Sequence, residues 1–157
     1  MGAVDANGKN GAYYLIYILT ASTALLLILW TRSEKSLLIP IELHYCHKAV
    51  KLMALKDTGN MLHDPISGKP VLIVGADVAA ELTGLTEKQL NTPVDTVGTI
   101  PGLRLIPYKT IGEQGKMLLA ISVQNAIIDG RSENSVVAFA PMLLDEKGKY
   151  QALIGGL

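Results

Sequence analysis

Three consecutive residues carry the clearest chemical potential in this sequence: Asp57-Thr58-Gly59, two residues beyond an apolar run that ends at Leu55. The Asp supplies a carboxyl group, the Thr hydroxyl can donate to and accept from neighbouring backbone and so fix a loop, and the Gly lets the chain turn and approach closely. A carboxyl held in this way can take a proton from water. It does so best beside a second carboxyl that shares the proton, because like charges held close cannot both ionise. The bland alternative is an ordinary turn, capped by Asp and with Gly at positive φ, so the surrounding sequence has to decide. His44, Cys46, His47 and His63 are the other candidate ligands. They form no second ligand pair, so neither a metal nor a cofactor is implied.

The surroundings favour catalysis. Asp-Thr-Gly is the active-site signature of aspartic proteases. Downstream, Ile106 to Leu119 reads as strand, Gly-bracketed tip, strand, the pattern of a mobile flap whose tip is Ile111, Gly112, Glu113, Gln114 and Gly115. Near the end, Leu153-Ile154-Gly155 places two apolar residues before Gly, like the strand that supports the catalytic loop in retroviral-type proteases. The chain has a single Asp-Thr-Gly, and Asp64, Asp77, Asp95, Asp129 and Asp145 lack the loop sequence of an internal partner. The second carboxyl is therefore expected from another chain, in a homodimer with both Asp57 residues at the two-fold axis.

The elements that must position these residues follow from composition and pattern. The chain has 157 residues, 49% hydrophobic and 18% charged, with 14 basic against 14 acidic side chains. That excludes a disordered chain and leaves no basic excess for nucleic acid. Gly11 to Trp30 is free of charge and, at about 1.5 Å per residue, spans roughly 30 Å, the thickness of a hydrocarbon core. It reads as one transmembrane helix with Tyr13, Tyr14, Tyr17 and Trp30 as interfacial anchors, rather than a signal peptide, because Asp5 precedes it and no small-residue cleavage site follows. Arg32 and Lys35 outnumber Lys9 by one charge, which biases the C-terminal part toward the cytoplasm. Residues 1–10 read as a disordered lead and residues 37–157 as the working domain.

From Leu37 onward, short apolar runs alternate with turn residues, which predicts a mainly β, closed-barrel domain with one or two short helices between Asp77 and Leu90. Ile39–Tyr45 and Ala49–Leu55 should form a hairpin turning at His47-Lys48, and Val71–Val74 a buried strand. Leu103–Pro107, Met117–Val123, Ala126–Ile128, Ser135–Ala140 and Tyr150–Ile154 complete the expected strands. A helix capped by Asp77 should end at Gly84.

A narrower resemblance rests on three blocks. Leu55 to Val71, with Asn60 after the aspartate motif, then Leu62, Asp64-Pro65 and Pro70-Val71, resembles the catalytic segment of the sporulation sigma-E factor-processing peptidases. Arg104-Leu105-Ile106-Pro107-Tyr108 and Tyr150 to Ile154 resemble later blocks of the same family. The resemblance implies a retropepsin-like fold and a membrane-embedded aspartic endopeptidase with Asp57 catalytic and Thr58 and Gly59 supporting its loop. It also implies pro-sigma-E factor as the substrate and a signal protein secreted by the forespore as the activating partner. The family has a multi-helix membrane portion where this chain has one apolar run. Two other readings of the residues stay open: a membrane-anchored β module that binds a protein without catalysis, and a retropepsin-like protease of another substrate.

Overall fold

The structure is a computed structural model that describes residues 13–27, 37–110 and 113–155. The chain divides into two units between Leu37 and Leu38. In the first, residues 13–27 form helix α1. The polar side chains of this apolar run are satisfied internally: Thr20 donates to Ile16 O (3.0 Å), Ser22 to Leu19 O (2.9 Å) and Thr23 to Thr20 O (2.9 Å). Among the described residues no helix is long and apolar enough to cross a membrane. The flanks of the expected span, residues 11, 12 and 28–30, and the lead of residues 1–10 lie outside the described residues.

The second unit is built from seven strands. β1 (Leu38–Tyr45) and β2 (Lys48–Lys56) pair antiparallel from Leu38↔Leu55 to Tyr45↔Lys48. Their turn falls on Cys46-His47, one residue earlier than expected, with Cys46 in the left-handed region at φ 53°. β3 (Val71–Val74) stands where the apolar run predicted it. β4 (Arg104–Thr110), β5 (Glu113–Ile128), β6 (Arg131–Phe139) and β7 (Ala152–Ile154) complete the set. The order β1-β2-β7-β3-β6-β5 closes on itself through β1–β5 pairs such as Ile41↔Ile128, giving a six-stranded barrel, as the sequence led us to expect. Among the described residues β4 pairs with β5 alone and stands outside that ring.

β5 is one 16-residue strand where the sequence suggested two. The reason is a register shift between Val123 and Ala126. Before it Leu119, Ile121 and Val123 enter the core, and after it Ala126 and Ile128 do, so the buried phase moves from odd to even positions. An extra residue in one strand has this effect and bends the strand. β5 can thereby pair with β4 and β6 along its length and still meet β1 at its end.

The barrel interior is filled by the inward phase of every ring strand, including Leu43, Leu52, Val74, Ile121, Phe139 and Ala152, and is closed by Val78, Ala79 and Leu82 of helix α2 (Ala76–Thr83). Asp77 does not cap this helix: the N-cap is Gly75, and Gly84 ends it at φ 80°. Thr86 and Gln89 form a capping box on α3 (Glu87–Asn91). A third short helix, α4 (Pro93–Thr96), was not expected and begins with Pro at its first turn, where the missing N–H costs nothing. On the outer face of the sheet Val71, Ile106, Leu118, Ala120, Val136 and Ala138 make a smaller second core, against which Leu62 and Tyr108 pack. That outer core holds the 57–70 segment against the sheet.

Candidate active site

Asp57 follows directly from β2. Its N–H donates to Ile154 O (2.8 Å), which continues the parallel pairing of β2 with β7 by one more bond. The chain then turns sharply, with Asn60 N–H donating to Asp57 O (3.1 Å) and Gly59 N–H to the Asp57 carboxylate Oδ1 (2.9 Å). A β-carbon on Gly59 would stand 3.1 Å from that oxygen, so the third residue of the motif is held to glycine by close approach. Thr58 is exposed, and among the described residues its hydroxyl makes no hydrogen bond. Asn60 fixes the loop instead.

The Asn60 carboxamide uses both ends: Nδ2 donates to Val71 O (3.1 Å) at the start of β3, and Oδ1 accepts from Leu62 N–H (3.1 Å). Its backbone oxygen lies against Gly155, where a β-carbon would be 2.6 Å away. Leu153-Ile154-Gly155 thus supports the aspartate loop twice, through the Ile154 carbonyl and through the bare Cα of Gly155.

Asp57 is half-buried and lines a cleft of about 410 Å³. Gly59, Asn60, Met61 and Leu62 form one side, and Pro107, Tyr108 and Leu118 of the β4–β5 hairpin form the other. Among the described residues of that lining, Asp57 is the one that carries a carboxyl group. The hairpin expected as a flap therefore does face the aspartate loop. At its tip, Ile111 and Gly112 lie outside the described residues; Glu113, Gln114 and Gly115 open β5, with Gly115 at φ 82°. Among the described residues no group of His, Cys, Asp or Glu could hold a metal ion.

Asp64 is the polar side chain that sequence reasoning passed over. It is buried, accepts from Ser67 N–H (3.0 Å) and from Ser67 Oγ, and meets Arg104 Nη2 at 3.3 Å. Burial alone would raise its pKa. The Ser67 hydrogen bonds, the Arg104 guanidinium and the Ile66 backbone outweigh that, so the carboxyl is held below its ordinary value. Asp64 also shapes its own turn, with Gly68 N–H donating to its carbonyl (2.8 Å). The available signal was the Asp-Pro pair, an ordinary turn opener whose buried partner lies far along the chain.

A family model described as sporulation factor SpoIIGA, of the peptidase U4 class, matches residues 11–156. The chain belongs to this family. It is similar to the sporulation sigma-E factor-processing peptidase of Bacillus subtilis (strain 168), with 25% identity over 122 residues, 68% of this chain and 40% of that protein. The peptidase of the same name from Priestia megaterium is 27% identical over 92 residues, 54% of this chain and 30% of its own length. A relative from Bacillus thuringiensis subsp. kurstaki, provisionally named a sporulation sigma factor-processing peptidase, is 24% identical over 137 residues, 79% of this chain and 85% of its length. The chain thus spans less than half of the first and second of these relatives. No solved structure matches it. In this SpoIIGA-family chain the segment that follows Asp57 is fastened by Asn60 to Val71 and by the pairing of Asp64 with Arg104.

Proposed function

We propose that this SpoIIGA-family chain is a membrane-anchored aspartic endopeptidase that removes the pro-sequence of a sporulation sigma-E factor. The observation that carries the reading is the setting of Asp57: a half-buried carboxyl in a cleft between a tightly fastened loop and the β4–β5 hairpin. One carboxyl is not enough for this chemistry, and the described residues of the cleft lining hold no other. A second copy supplies it, with the two Asp57 residues meeting at a two-fold axis. One then acts as base on a water while the other, protonated, polarises the scissile carbonyl, and the roles exchange as the amine leaves. Gly59 and Asn60 hold the loop, and the hairpin with its tip at 111–115 closes over an extended peptide that pairs with backbone.

Residues 11–30 form the membrane anchor, which raises the effective concentration of the pairing partner. The domain faces the cytoplasm, where an inactive sigma factor at the inner membrane face is within reach, and a signal protein from the forespore activates it. The substrate and the signal protein rest on the family. Co-expression with pro-sigma-E is expected to give a shortened product with the native chain and an intact one with Asp57→Asn, while circular dichroism of the variant keeps its strand signal. Shortening that survives Asp57→Asn in a folded protein overturns the aspartic mechanism.

A further inference from the structure

We infer that the pair of buried Asp64 with half-buried Arg104 is a positioning device: it sets the β4–β5 hairpin over the aspartate loop, and so the width of the peptide cleft. The inference rests on the reading of Asp57 as the catalytic carboxyl. Arg104 is the first residue of β4, which among the described residues pairs with β5 and has no ladder on its other edge. The strand's base is held by the ladder to β5 and by Ile106 in the outer core, and Arg104 adds side-chain contacts that set the direction in which the strand leaves that base. Its Nη2 donates to Ser122 Oγ of β5 (3.0 Å) and meets Asp64 Oδ2 (3.3 Å). Asp64 belongs to the same segment as Asp57, so the ion pair ties the hairpin base to the segment that carries the aspartate loop, while the Ser122 bond ties it to the barrel. Tyr108, four residues further along β4 and about 13 Å away, lies in the wall of the Asp57 cleft, so a small rotation at Arg104 becomes a change in cleft width there.

The pair is also poorly suited to stability alone. Asp64 Oδ1 and Arg104 Nε are buried with no hydrogen-bond partner among the described residues. A buried pair with unsatisfied atoms is often matched or exceeded in stability by apolar side chains of the same volume. What apolar side chains would not reproduce is the placing of one guanidinium nitrogen between Asp64 and Ser122, which selects one hairpin orientation.

Three variants of the full chain test this, each read by melting temperature, by hydrogen exchange of residues 104–120 relative to β2 and β7, and by cleavage kinetics on a peptide spanning the pro-sequence junction. Arg104→Met leaves Asp64 buried and unpaired, and should lower the melting temperature and speed exchange. In the double variant Asp64→Asn/Arg104→Met no charge is left unpaired, so the melting temperature should recover. Hairpin exchange in the double variant should nevertheless stay about tenfold faster than native, with KM raised more than kcat is lowered. Native hairpin exchange together with a recovered melting temperature means that the pair is structural only, and overturns the inference. If the double variant does not recover, Arg104→Lys decides: it keeps the charge but replaces the planar guanidinium that reaches both Asp64 and Ser122, so faster hairpin exchange at unchanged melting temperature supports positioning and native exchange refutes it. Absence of cleavage by the native chain would remove the proposed activity, and the exchange comparison would still decide the role of the pair.

Discussion

Adding one methyl group at Gly155 tests how tightly the aspartate loop is seated. The new β-carbon would stand 2.6 Å from Asn60 O, a backbone atom that cannot rotate away. Ordinary contact begins near 3.4 Å, so loop and strand must separate by roughly 0.8 Å. Three bonds resist that movement: Asp57 N–H to Ile154 O (2.8 Å), Asn60 N–H to Asp57 O (3.1 Å) and Asn60 Nδ2 to Val71 O (3.1 Å). Overpacking of this kind costs about 1–3 kcal/mol, and at about 4 °C per kcal/mol for a domain of this size the melting temperature should fall by roughly 4–12 °C. The carboxyl moves with its loop, and a misplacement of about 1 Å costs on the order of a hundredfold in rate. Gly155→Ala is therefore expected to fold, melt earlier by that amount in a calorimetric or circular dichroism scan, and cleave at about one hundredth of the native rate. A variant with unchanged melting temperature and native cleavage would show that the close approach constrains neither the loop nor the site.

Asn60→Ala deletes two hydrogen bonds and leaves the Val71 carbonyl and the Leu62 N–H without side-chain partners. It should destabilise by about 2–3 kcal/mol in urea titration, and a loss under half a kcal/mol would mean that water replaces the carboxamide without cost. Asp64→Asn leaves the Arg104 charge uncompensated and should cost roughly 3 kcal/mol at neutral pH, at the low end because the Arg104 side chain keeps 23% exposure. The pH dependence of that deficit has a definite sign. Asp64 has its folded pKa lowered, so its contribution is present above the ordinary value of 3.8 and declines as pH falls below it. The stability gap between native chain and variant should narrow in denaturant titrations taken from about pH 6 to about pH 3, and a gap that is constant or widens on acidification would contradict the lowered pKa.

Local features carried much of this fold in the sequence. Val71–Val74 is a short apolar run between turns, and the β1–β2 hairpin alternates with period two, so both were legible from pattern alone. The length of β5 was not, because Gln124-Asn125 looks like a turn when it is the point where the strand gains a residue and changes phase. Helix α4 was hidden for a related reason. Thr92 ends α3 and also precedes Pro93, so a single residue both closes one helix and opens the next. The Asp57-Thr58-Gly59 loop was legible through its residue types and its supporting strand through Leu153-Ile154-Gly155, but the Asp64–Arg104 pair was not, because it joins residues far apart in the chain.

Those long-range fastenings couple the site to barrel closure. β7 joins the ring between β2 and β3 through three register pairs on one side and two on the other, so it is held by few backbone bonds. The same three-residue strand supplies the carbonyl that holds Asp57, and the glycine that follows it seats Asn60. Contacts of such high sequence separation form late, after the entropy of closing the intervening loop has been met. A substitution that loosens β7, such as Ala152→Gly in the fully buried position opposite Ala54 and Val74, therefore removes the seat of the aspartate loop while β5 and β6 are still paired. Loss of a properly held Asp57 then precedes global unfolding, because the strand that closes the ring is also the strand that positions the carboxyl.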